Sequence, residues 1–150
     1  ELKSSIVRFY NVYGPHQLED GDYSTVLGIF ERQYRNGEPL TITSDGKQRR
    51  DFTHVNDIVD GLMRSSQAMH GVVDMKFAGE EFELGSGKNY SINELADMFG
   101  KDYPREYISA RKGEYDKTLC TDTNAKDILD WVSTHSLTDY IDSVLEKNNG

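Results

Sequence analysis

The chain has 150 residues, about the size of a single domain. Its 17 basic and 26 acidic residues give a formal net charge of −9, which repels nucleic-acid phosphates where no Lys/Arg stripe offsets it. Its apolar runs are too short to span a bilayer, and the single Cys120 excludes a disulfide framework and a Cys-rich zinc site.

With 36% hydrophobic and 29% charged residues the chain reads as globular, and with no signal-like opening segment it is expected in the cytoplasm. Ser5-Ile6-Val7-Arg8-Phe9-Tyr10 is β-branched and aromatic and reads as a strand, ended by Asn11-Val12-Tyr13-Gly14-Pro15. After a polar loop, Tyr23, Val26, Leu27, Phe30 and Tyr34 recur at helical spacing, and Asn36-Gly37 supplies a stop. Pro39 to Thr43 is extended, Ser44 to Lys47 a turn, and Asp51 to His54 extended again. Val55, Ile58, Val59, Leu62 and Met63 carry a second helix, and Glu81 to Leu84 a strand. Ser91-Ile92-Asn93-Glu94 is a capping box opening a helix with Ile92, Leu95, Ala96 and Phe99 inward. Tyr107-Ile108 and Thr118-Leu119-Cys120 read as short strands, and 123–129 and 137–147 as closing helices. The mixture lacks the regular alternation of a complete doubly wound sheet.

Few residues suggest chemistry by spacing alone. His16, His54, His70 and His135 lie far apart, without metal-ligand spacing. Asp20, Asp22 and Glu31 imitate a calcium loop, but Thr25 stands where that loop needs Gly. Gly85-Ser86-Gly87-Lys88-Asn89 imitates a phosphate loop without its first Gly or its Ser/Thr, and reads as a strand-to-helix turn. No Gly-x-Gly-x-x-Gly fingerprint and no Ser/His/Asp or Cys/His set is evident, and Cys120 reads as buried and inert. Arg49, Arg50 and Arg111 fall at element ends, where a planar donor fork suits a phosphate; surface ion pairing with the many acids is the alternative.

The order of several blocks resembles a known family. These blocks are Arg8-Phe9-Tyr10-Asn11-Val12-Tyr13-Gly14-Pro15, Pro39-Leu40-Thr41-Ile42, the run from Asp45 through Gln48-Arg49-Arg50-Asp51-Phe52 to Val59, Phe82 to Gly87, Tyr90 to Ala96, and Arg111-Lys112-Gly113-Glu114 with Thr118 and Asp122. Together they resemble the C-terminal half of the NAD-dependent epimerase/dehydratase family, the extended short-chain dehydrogenases acting on nucleotide sugars, and within it the UDP-glucose 4-epimerase-like members. The family's N-terminal Rossmann core, with its glycine fingerprint and Tyr-x-x-x-Lys pair, has no counterpart in these residues.

The resemblance implies an α/β fold: a C-terminal substrate-binding domain, residues 1–150, with the last strands of a Rossmann sheet. It implies that Asn11 bonds the sugar-diphosphate, that Arg50 and Arg111 bind the diphosphate, and that Glu114 meets the ribose. It also implies that Thr25 and Val26 approach the substrate through backbone, that Ile42 and Thr43 line the base, and that Phe9 and Tyr10 lie near the nicotinamide. Asp51, His54 and Asp57 are expected to hold the fold, and Arg49 to be solvated. Ser44, Gly28, Lys112 and Trp131-Val132-Ser133 depart from the family pattern. The implied activity is substrate binding for a UDP-glucose/UDP-galactose type 4-epimerase with an NAD-dependent 4-keto intermediate. The isolated chain is then expected to bind no NAD and to be inactive. Alternatives are part of a 4,6-dehydratase, decarboxylase or reductase of the family, or a free-standing nucleotide-sugar-binding module. Apolar surface on the first strand and along Val26 to Phe30 is expected to be exposed, favouring self-association or a covering Rossmann half.

Overall fold

The computed structural model describes residues 4–70, 79–110 and 115–148. Its elements are β1 (Ile6–Phe9), β2 (Asn11–Tyr13), α1 (Val26–Asn36), β3 (Leu40–Thr43), β4 (Arg49–His54), α2 (Val55–His70), β5 (Glu81–Leu84), β6 (Asn89–Ser91), α3 (Ile92–Met98), β7 (Arg105–Ile108), α4 (Asn124–Leu129) and α5 (Leu137–Asn148). The result is an α/β fold. No helix among the described residues is long and apolar enough to cross a membrane.

The strands form three small ladders. β1 runs parallel to β5, with Ile6 opposite Glu81 and Phe9 opposite Leu84. β4 is the centre of the second ladder, parallel to β2 through Asn11–Phe52 and Tyr13–His54, and antiparallel to β6 through Arg50–Tyr90. β3 runs parallel to β7, with Leu40 opposite Arg105. Asn11 to Tyr13 is therefore a strand in its own right, where Gly14-Pro15 suggested only the end of the first. Gly14-Pro15 stops the chain after Tyr13 has paired, and β2 shifts the pairing from β5 to β4. Thr118-Leu119-Cys120, expected as a strand, is irregular; the neighbouring Lys117 makes only a single bridge to Arg49.

The helices follow their end signals. The Thr25 side chain caps α1 by accepting from the Gly28 N–H. Gly37, at φ 68°, closes the other end in the left-handed conformation that Gly adopts without cost, while Glu38 N–H reaches back to Gln33 O at 2.8 Å. Tyr23, read as the first helical apolar position, lies outside the helix and is 87% exposed. A side chain at Gly28 would run into the Leu18 carbonyl, so the close pass of the 17–18 loop over α1 requires Gly there. The capping box of α3 is complete: Ser91 Oγ accepts from Glu94 N–H at 3.0 Å, and the Glu94 carboxylate accepts from Ser91 N–H at 2.7 Å.

Two apolar clusters result. The larger joins α1, β3, α3 and α5 through Leu27, Phe30, Leu40, Ile42, Leu95 and Ile141, all fully buried. The smaller packs Phe82 and Leu84 of β5 against Ile58, Leu129 and Trp131. Leu27 and Phe30 belong to the core, so the exposure expected along Val26 to Phe30 is not found. Ile6 and Phe9 of β1 are exposed as expected, and with them Val59, Leu62 and Met63 of α2, whose stripe is only partly covered.

Candidate functional site

Between β2, the start of α1, β3 and the outer strand β7 lies a cleft of ≈ 270 Å³, at the lower edge of the roughly 300–1,000 Å³ typical of small-molecule sites. Asn11, Thr25, Val26, Thr43 and Arg50 line it, joined by Ser24, Thr41 and Ile108. Five of the expected substrate-binding residues, drawn from four places in the sequence, therefore line one cleft. Arg50 is the only charged residue among the described residues of the lining, in a chain of net charge −9. Its Nη1 donates to the Arg49 carbonyl at 2.9 Å, which ties the guanidinium to β4.

The start of α1 contributes backbone. Thr25 Oγ1 is engaged twice, accepting from Gly28 N–H at 3.0 Å and donating to Gln17 Oε1 at 2.9 Å. What α1 offers the cleft is thus the uncapped N–H groups of its first turn, where no acidic residue offsets the helix dipole. Gln33 fixes the opposite wall, with its Nε2 on Thr41 Oγ1 at 2.9 Å and its Oε1 accepting from Thr41 N–H at 3.1 Å.

Ile42 does not line the cleft. β3 alternates, with Leu40 and Ile42 in the core and Thr41 and Thr43 on the cleft side. Thr41 stands where Ile42 was expected. Phe9 and Tyr10 also lie outside the lining. Phe9 is 52% exposed at the end of β1. The Tyr10 hydroxyl donates to Glu83 Oε2 at 2.6 Å, a bond that, with burial, raises its pKa. Arg111 and Glu114 lie outside the described residues.

The expected fold-holding residues have internal partners. Asp51 is fully buried and accepts from Ser86 N–H at 2.9 Å, Ser86 Oγ at 2.6 Å, Gly87 N–H at 3.1 Å and Cys120 N–H at 3.0 Å. It holds the glycine-rich turn and Cys120 to β4. Gly85 sits in that junction because a side chain there would strike Cys120. Burial raises the Cys120 thiol pKa, in keeping with an inert thiol. Arg49, expected to be solvated, is tied down: its guanidinium donates to Asn89 Oδ1 and O, each at 2.9 Å, and pairs with Glu94 at 2.9 Å.

A second polar cluster joins Asp57 and His54, both expected to hold the fold, to residues 133–135 far along the chain. Asp57 accepts from Ser133 Oγ, Thr134 N–H and Oγ1, and His135 N–H at 2.9–3.0 Å, and lies 2.7 Å from His135 Nδ1. Burial would raise its pKa, but these hydrogen bonds outweigh burial and hold it at about 2. His135 stacks on His54, with ring centroids 4.3 Å apart and planes 13° from parallel. Partners 78 positions apart in the chain leave no local pattern to read. Among the described residues, no group of three or more His, Cys, Asp or Glu is placed to hold a metal ion.

The sequence profile of the NAD dependent epimerase/dehydratase family matches residues 1–85. A UDP-glucuronate 4-epimerase of Thermodesulfobacterium geofontis is 32% identical over 87% of this chain and 38% of its own length. A UDP-N-acetyl-alpha-D-glucosaminuronate decarboxylase of Bacillus cytotoxicus is 38% identical over 63% of this chain and 27% of its own. The solved structure of UDP-glucose 4-epimerase with UDP-glucose from Thermotoga maritima superposes with a TM-score of 0.81 at 31% identity, covering 97% of this chain and 45% of that one. The chain therefore spans less than half the length of these relatives.

Proposed function

Since the chain belongs to the NAD-dependent epimerase/dehydratase family, we propose that it is the substrate-binding part of a nucleotide-sugar 4-epimerase, with a UDP-sugar as ligand. The observation that carries this reading is the cleft itself: Arg50 supplies its only charge among the described lining residues, beside the N-terminal turn of α1. A fixed guanidinium and free helix N–H groups suit a diphosphate. The threonines of β3 add neutral hydrogen-bonding groups along the wall. In this reading Arg111 adds a second cation to the diphosphate and Glu114 takes the ribose hydroxyls.

The chain's own contribution is binding energy remote from the reacting carbon. The proton-transfer and hydride groups belong to the rest of a longer polypeptide, whose sheet would continue from the open edge of β1. The isolated chain then epimerises nothing.

Calorimetric titration with UDP-glucose tests the reading. Binding is expected, and Arg50→Ala should weaken it about tenfold or more, the worth of a charged hydrogen bond to phosphate. No binding at millimolar ligand, or an unaffected Arg50→Ala, would refute it. A second reading, a UDP-sugar decarboxylase, is favoured by the 38% identical relative with that name. Product analysis on a polypeptide containing both halves separates the two.

A further inference from the structure

Gln17 lies in the loop between β2 and α1, two of the elements that wall the cleft. Its N–H donates to the Gly14 carbonyl at 3.3 Å, just past the end of β2. Its side chain reaches α1 twice: Oε1 accepts from the Thr25 hydroxyl at 2.9 Å, and Nε2 donates to Glu31 Oε1 at 2.6 Å. Thr25 Oγ1 already accepts from Gly28 N–H at 3.0 Å, so its proton is the one turned to Gln17. An amide suits this place because it carries an acceptor on one arm and a donor on the other.

The far end of the bridge is buried. Glu31 is only 8% exposed, and the Tyr140 hydroxyl of α5 bonds it as well. Burial raises the Glu31 carboxyl to about 7; the nearby Glu19 charge adds to this, while the bonds from Tyr140 and Gln17 and the charge of Arg35 oppose it. The Leu18 carbonyl sits where a side chain at Gly28 would be. The 17–18 loop therefore grips α1 at Thr25, Gly28 and Glu31. Val26 and Leu27, the first two residues of the helix, lie inside this grip and line the cleft. Among the described residues the lining does not include Gln17, so any effect it has on a ligand passes through α1.

We propose that Gln17 is a positioning residue for the cleft: anchored on Glu31, it holds Thr25 so that the first-turn N–H groups of α1 stay aimed at the diphosphate of the ligand. The proposal rests on the nucleotide-sugar reading of the cleft. The chain of bonds has one direction, from the Thr25 hydroxyl to the Gln17 carbonyl and from the Gln17 amide to Glu31. Successive bonds of this kind polarise one another and strengthen the acceptor that caps Gly28.

Calorimetric titration of the 150-residue chain with UDP-glucose tests this. Gln17→Leu should weaken binding about three- to tenfold, the range of one hydrogen bond. Gln17→Glu adds a readout that a merely structural role would not move. A carboxyl group at position 17 shares one proton with Glu31 in mild acid, and the protonated pair rebuilds the bridge, with a carbonyl for Thr25 and a proton toward Glu31. Loss of that proton sets two like charges together. Gln17→Glu should therefore bind within about twofold of the unaltered chain near pH 6 and fall behind it by about threefold or more near pH 8. UDP-glucose has no terminal phosphate, so the ligand itself does not titrate in that range. Ellipticity at each pH checks that the variants are folded, and the pH profile of Gln17→Glu decides the matter where Gln17→Leu does not fold. Unchanged affinity in folded Gln17→Leu, or a constant ratio between Gln17→Glu and the unaltered chain across the range, would overturn the proposal. Failure of the unaltered chain to bind UDP-glucose would overturn the nucleotide-sugar reading, and this proposal with it.

Discussion

Ser44 holds φ 56° in the turn between β3 and β4, a left-handed conformation that costs a side chain energy and costs Gly little. It is the position where the family pattern has Gly. The turn is otherwise well made, with Ser44 N–H on Ile108 O at 2.8 Å and Gly46 N–H on Thr43 O at 3.3 Å. Ser44→Gly should therefore stabilise the fold by about 0.5–1 kcal/mol in a urea melt; a loss of stability would mean that the serine side chain holds the turn. Individual residues were unevenly legible in the sequence. Asn11 and Arg50 stand inside recognisable motifs, while Thr25, Val26 and Thr43 followed only from their place in the resemblance; all five line the cleft. Ile42 could not be assigned, because the two-residue period of a strand says which residues share a face but not which face meets the cleft. Arg49 and Arg50 are adjacent and chemically identical. The resemblance separated them, and the structure puts Arg49 on Asn89 and Glu94 and Arg50 in the cleft lining.

At the level of elements, the start of α2 is sensitive to acid. His54 Nδ1 accepts from Asn56 N–H at 3.2 Å, so the imidazole caps the helix only while that nitrogen is unprotonated. Burial lowers the His54 pKa, the charge of the stacked His135 lowers it further, and Asp57 opposes both. Tyr13 and Tyr140 pack edge-on to the same ring, each with its own pKa raised, mainly by burial. A depressed histidine pKa means that the unfolded chain binds the proton more readily. The stability it contributes is complete above about pH 6.5 and is lost as pH falls through the lower native value. Glu31 acts in the opposite sense: burial raises its pKa to about 7, so its contribution is complete below about pH 4.5 and is lost as pH rises through 7. The difference between the unaltered chain and His54→Asn isolates the histidine. Denaturant melts should show the unaltered chain losing ground to the variant as pH falls below about 6.5; a constant difference from pH 7.5 to 5 would count against the cap. Asp57 adds its share at lower pH, present above about 3.8 and lost as pH falls through about 2. The boundaries of α1 and α3 were readable because their caps lie within a few residues of each other. β2 and the irregular 118–120 segment were not, because pairing with β4 and bonding to Asp51 are decided far along the chain.

For the whole molecule, the decisive feature is the apolar surface left uncovered. Ile6 and Phe9 on β1 and Val59 and Met63 on α2 are each at least half exposed. The outer edge of β1 has no strand partner among the described residues. Such an edge is a template for further strand pairing. The isolated chain should self-associate with rising concentration in sedimentation experiments, and Phe9→Lys with Met63→Lys should shift it toward monomer. A dispersed monomer at millimolar protein would show that this surface tolerates water. The two apolar clusters carry a different consequence. The cleft borders the larger cluster through Tyr13, Leu27, Phe52 and Ile92, and meets the smaller one, built from β5 and α4, only through Val12. A bound ligand should therefore raise the opening free energy of the larger cluster more than that of the smaller. Backbone amides around Leu27 and Ile42 would then slow more in exchange with solvent deuterium than those around Phe82 and Leu129.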